Sequence, residues 1–96
     1  MAKLVIAPAA AADLEGLIVE LNLPNDTRSR VRSRLRQLAD FPESGEALSG
    51  RWRGFRYILG PWPSMLILFA YDEAADQVAV VTIQDARRAQ SATSHR

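Results

Sequence analysis

The chain has 96 residues, which points to one domain, 1–96, with a modest core. Hydrophobic residues make up 48%, which excludes a disordered tail, and the absence of cysteine excludes disulfides and thiol chemistry. Net charge is only +1, but residues 28–56 hold eight arginines (28, 30, 32, 34, 36, 51, 53 and 56) against Asp40, Glu43 and Glu46, while residues 66–85 hold no base and carry Asp72, Glu73, Asp76 and Asp85.

In chain order, KLVIA (3–7) reads as a short strand, and Pro8 opens a helix with Leu14, Leu17, Ile18 and Leu21 on one face. NLPND (22–26) breaks it, and Pro24 is placed to open a second helix whose stripe is Val31, Leu35, Leu38 and Phe41. Pro42 and Gly45 end that helix. The period then changes. WRGFRYIL reads as a strand stopped by GPWP (60–63), MLILFAYD (65–72) as a nearly continuous apolar, central strand, and QVAVVTI (77–83) as the last strand after the turn EAAD (73–76). The tail over 90–96 reads as frayed. The expected class is α+β in the order β-α-α-β-β-β: a small, mostly antiparallel sheet with both helices packed on one face.

Other classes of function find little support. MLILFAY (65–71) is too short to span a bilayer, and the amino-terminal stretch carries Asp13 and Glu15, unlike a signal peptide. A cytoplasmic location with no membrane contact is expected. The one histidine, His95, is next to last, no metal-ligand spacing exists, and no phosphate-binding glycine loop is present, so neither metal nor cofactor is expected.

What remains is arginine, the side chain suited to bidentate carboxylate or phosphate contacts. On a helix, Arg28, Arg32 and Arg36 share one flank and Arg30 and Arg34 the other, with the apolar stripe between them. This is either a solvated helix whose arginine stems cover the core edge, or a surface for nucleic acid or an acidic partner. In RWRGFR, strand alternation puts Arg51 and Arg53 on one face and Trp52 on the other, with Arg56 on the tryptophan side unless a bulge at Gly54 re-aims it. Arg87 and Arg88 follow the last strand. Fixed, clustered arginines can hold a phosphate backbone or stabilise charge on a transferring phosphoryl group. A merely solvated strand carries the same pattern.

Taken in order, KLVIAPAAAADLEGLI, RLRQLADFPESG, LSGRWRGFRYIL and LILFAYDEAADQVAVVTIQDARR resemble the RelE/ParE superfamily of toxins from type II toxin–antitoxin systems, over almost the whole chain. The resemblance implies a toxin neutralised by a cognate antitoxin in a hetero-oligomer. It further implies either ribosome-dependent, metal-independent cleavage of messenger RNA or, as the alternative, inhibition of DNA gyrase without nuclease activity. A non-catalytic protein- or nucleic-acid-binding module on the same fold is a third reading. By the same resemblance Arg51, Arg53, Arg56, Arg87 and Arg88 are the expected catalytic set. Leu66, Phe69 and Asp85 stand where the ribonuclease branch often has arginine, tyrosine and histidine. Arginine stays protonated and is a poor general base, so any cleavage would rest on electrostatics and positioning.

Overall fold

A computed structural model describes residues 1–62, 64–88 and 91–93. Strand β1 (Lys3–Ile6) leads into helix α1 (Pro8–Leu21), with Pro8 at the first helical position, where its missing N–H costs nothing. Helix α1 ends on Asn22 in the left-handed conformation (φ 52°). The Leu23 N–H closes back on the Ile18 carbonyl at 3.0 Å, so asparagine fills the role glycine usually plays. Helix α2 (Thr27–Asp40) starts three residues later than Pro24. The Pro24 carbonyl instead accepts the Thr27 N–H at 3.1 Å, which makes the proline part of the preceding turn.

Strands β2 (Glu46–Ala47), β3 (Arg56–Leu59), β4 (Met65–Asp72) and β5 (Gln77–Asp85) complete a five-stranded sheet in the order β1-β5-β4-β3-β2. The β2–β3, β3–β4 and β4–β5 pairs are antiparallel, and β1 lies parallel to β5. The fold is therefore α+β, with a mixed sheet and two helices on one face.

The helix-facing core gathers Ala10 and Leu17 from α1, Val31, Leu35 and Leu38 from α2, and Met65, Ile67, Phe69, Val78, Val80 and Ile83 from the sheet. Met65 to Phe69 are all at most 2% exposed, so the middle strand is buried on both faces. By alternation Leu66 and Leu68 point away from the helices, and neither joins the helix-facing cluster. Phe41 does not complete the stripe of α2. It sits past the last helical residue, with φ −131°, and is 69% exposed.

The largest departure from the sequence reading is at RWRGFR. Residues Gly50–Trp52 form a short 3-10 turn, and the strand begins only at Arg56. Gly50 (φ 64°) and Gly54 (φ 93°) take up left-handed backbone, which is strained for residues with a Cβ, and so fold the chain out of the sheet. The Leu48 N–H to Phe55 carbonyl bond, 2.9 Å, closes the base of this loop. Of the stretch expected to fray, Ser91–Thr93 is described and anchored. Ser91 is 7% exposed with its hydroxyl on the Ala86 carbonyl, and the Ala92 N–H donates to Gln84 at 2.8 Å. Gln90 and residues 94–96, which include His95, lie outside the described residues.

Candidate anion-binding site

Because the strand starts at Arg56, the alternation expected for Arg51, Trp52 and Arg53 does not apply. Arg51 stands with its guanidinium carbon 5.9 Å from the Trp52 ring centroid, and Trp52 meets Phe55 edge-on at 5.8 Å. Arg53 is exposed on the same loop and makes no side-chain hydrogen bond or ion pair among the described residues.

Arg56 instead belongs to the strand. It pairs with Phe69 across the sheet and therefore points to the helix-facing side. Its Nη1 donates to the Gly45 carbonyl at 3.3 Å, and it lines a cavity of about 180 Å³ with Glu43, Tyr71 and Glu73. This corner is acidic. The Tyr71 hydroxyl donates to Asp76 at 2.8 Å, and that bond, followed by burial and the charges of Asp76, Glu73 and Glu43, pushes its pKa up to about 12.

The sign is that of a group whose protonated form is favoured by folding. The stabilisation is complete below the unfolded tyrosine value near 10 and is lost as pH rises through about 12. In a Tyr57→Phe background, tyrosinate absorbance should titrate with a midpoint of about 12, and Asp76→Asn should bring that midpoint down. An unchanged midpoint would remove Asp76 as the cause.

Arg87 and Arg88 stand at the other end of the sheet. Asp85 pairs with Met65 and Arg56 with Phe69, four rows along and two strands across. At ordinary sheet spacings this is about 16 Å between backbones. The structure thus does not bring Arg56 together with Arg87 and Arg88.

Asp85 is 5% exposed and receives three hydrogen bonds from Arg87: the backbone N–H and Nε on Oδ1 at 3.0 and 3.1 Å, and Nη2 on Oδ2 at 3.1 Å. The side-chain bonds from Arg87 hold the Asp85 carboxyl below the usual aspartate value, and the same bonds raise the Arg87 pKa. The Arg87 guanidinium carbon lies 4.7 Å from the Trp62 ring centroid. Arg88 pairs with Glu20 of α1.

Helix α2 divides its arginines in the same way. Arg28 forms a two-bond pair with Glu15 of α1 at 2.5 and 2.6 Å, which raises its pKa and lowers that of Glu15. Arg34 donates from Nε and Nη2 to the Leu59 carbonyl at 3.0 and 2.7 Å, tying α2 to the end of β3. Arg36 reaches only Ser33, at 3.4 Å, and Arg32 has no side-chain partner among the described residues.

The sequence reading gave no site role to Trp62, Glu15 or Glu20, and placed Arg34 only on a flank of the second helix. Asp13 is another such residue: beyond the end of β1 it accepts the Thr82 hydroxyl (2.5 Å) and the Ile83 N–H (3.3 Å), capping the exposed edge of β5. The Asp–Ala–Arg spacing over 85–87 was the one available signal for the clamp on Arg87. Among the described residues no group of three or more His, Cys, Asp or Glu could hold a metal ion, and no helix is long and apolar enough to cross a membrane.

The arrangement of helices and sheet is that of RelE/ParE-like toxins. A chain in the toxin–antitoxin complex RelBE2 from Mycobacterium tuberculosis superposes with a TM-score of 0.69 at 16% identity, covering 88% of this chain and 96% of that one. A chain in the intact E. coli RelBE complex gives 0.67 at 16% identity, over 92% and 100%. The isolated E. coli RelE toxin gives 0.68 at 14%, over 94% and 89%. No protein-family profile matches the sequence, and no curated protein matches it.

Proposed function

We propose that this protein is the toxin of a type II toxin–antitoxin pair, held inactive by a cognate antitoxin and acting in the cytoplasm on ribosome-bound messenger RNA. The observation that supports this best is the shared fold, which spans 88 to 94% of the chain and nearly all of each toxin-system chain it matches. The loop carrying Arg51 and Arg53 and, at the other end of the sheet, the strand end carrying Arg87 and Arg88 supply cations for different phosphates along one strand. These arginines bind and neutralise phosphates, and those beside the reacting phosphate stabilise charge that builds on it. They do not remove a proton.

Gyrase inhibition without nuclease activity is the second reading. It is favoured by Leu66 and Phe69, which are 2% and 0% exposed and apolar where the ribonuclease branch often has arginine and tyrosine.

Expression without an antitoxin should arrest bacterial growth; normal growth at verified soluble levels sinks the toxin reading. Primer extension on ribosome-bound message should then show cuts at fixed codon positions. Intact message together with loss of supercoiling by purified gyrase decides for the second reading.

A further inference from the structure

Three arginines are held in ion pairs among the described residues, and they are not equivalent. In the Arg28–Glu15 and Arg88–Glu20 pairs both side chains are about half exposed, so neither partner fixes the other firmly. Arg87 differs. Its carboxylate partner, Asp85, is 5% exposed and belongs to the ladder of β5, while Arg87 itself is 58% exposed. The fork is bidentate and uses Nε and one hydrogen of Nη2. On another side the guanidinium meets the ring of Trp62, which packs against the helix-facing core. A strand-borne anion and a core-borne ring therefore restrain an otherwise floppy side chain. Among the described residues, three N–H bonds of the restrained group have no partner: both on Nη1 and one on Nη2.

We propose that Asp85 and Trp62 are positioning residues, which hold Arg87 so that its free outer edge meets a phosphate oxygen of the nucleic acid. This rests on the toxin reading and names the contact through which that site grips its substrate. The alternative is that Asp85 simply neutralises Arg87, and the two differ in sign. Removing a carboxylate charge beside a phosphate site strengthens anion binding by Coulomb's law. Removing a positioning group weakens it, because a misplacement of about 1 Å carries a large penalty.

The test is a double-mutant cycle on Asp85→Asn and Arg87→Lys. Its readout is fluorescence anisotropy of a labelled single-stranded 2′-deoxy oligonucleotide, which has no 2′-hydroxyl to be cleaved. The proposal expects Asp85→Asn to weaken binding roughly tenfold, despite the gain in net positive charge. In the Arg87→Lys background, which lacks the planar fork, the same change should bring no further loss. Tighter binding by Asp85→Asn overturns the proposal, and so does undetectable binding by the unaltered protein.

A second measurement guards against misfolding. In a Trp52→Phe background the emission of Trp62 should change in the same direction in Asp85→Asn and in Arg87→Lys, with thermal melts confirming a folded chain. Unchanged emission in Asp85→Asn means that the carboxylate does not hold the stack, and it sinks the proposal. Growth assays keep the two ideas apart. Absence of growth arrest counts against the toxin reading, whereas absence of coupling in the cycle counts against the positioning role alone.

Discussion

Phe69→Ala is expected to lower the unfolding free energy by about 3–5 kcal/mol, the range for emptying a fully buried aromatic site. Phe69 is 0% exposed in the middle strand and sits in the helix-facing core with Ile67 and Val78. It also borders the place where β4 and β5 slip register, between Leu68 and Phe69, so the strand has an irregular neighbour on one side. A domain of this size holds roughly 5–14 kcal/mol in total. The substitution would therefore remove about a fifth of that stability or more, and the melting temperature should fall by about 12 °C or more. Phe41→Ala is the internal control. The same residue type at 69% exposure should cost no more than about 0.5 kcal/mol. Urea denaturation of both variants checks the pair. Equal losses would mean that the core is not organised around Phe69.

That contrast shows what the sequence could and could not convey. The run MLILFAYD is legible as a central strand because its apolar run is nearly continuous over Met65–Tyr71. The stripe Val31, Leu35 and Leu38 is legible because its spacing matches the helical period. Phe41 fits the same period, yet Pro42 ends the helix and drops it off the stripe. RWRGFR alternates as a strand would, but the alternation is accidental. The informative signal was the pair Gly50 and Gly54, both in left-handed backbone, which opens a loop where the pattern suggested a continuous edge.

Other features are not local at all. The parallel pairing of β1 with β5 joins residues more than seventy positions apart. The burial of Asp85, which turns a short Asp–Ala–Arg spacing into a clamp, depends on its position opposite Met65. Nothing near position 85 in the chain announces either.

The shift of the strand boundary also changes which arginines should matter. On the toxin reading, Arg53→Ala should lower RNA cleavage by about 10²-fold, comparable to losing one preorganised donor to a developing oxyanion. Arg56→Ala should stay within about twofold of the unaltered protein, since a surface change away from the reacting groups has little leverage on the barrier. Both are arginines in one six-residue stretch, and the family resemblance alone ranks them together as members of one catalytic set.

The structure separates them by partner and by element. Arg53 is exposed on the loop after the 3-10 turn, with no side-chain partner among the described residues. Arg56 faces the helix side, donates to the Gly45 carbonyl, and shares its cavity with Glu43 and Glu73. Two carboxylates beside one guanidinium repel a phosphate more than the single cation attracts it. A phosphate strand following Arg53 would therefore have to leave the favourable potential to reach Arg56. Single-turnover cleavage on programmed ribosomes measures the difference, with growth arrest as the cellular readout. If Arg56→Ala loses as much activity as Arg53→Ala, the acidic corner is part of the substrate path, and the division of RWRGFR into a functional loop and a structural strand start is wrong.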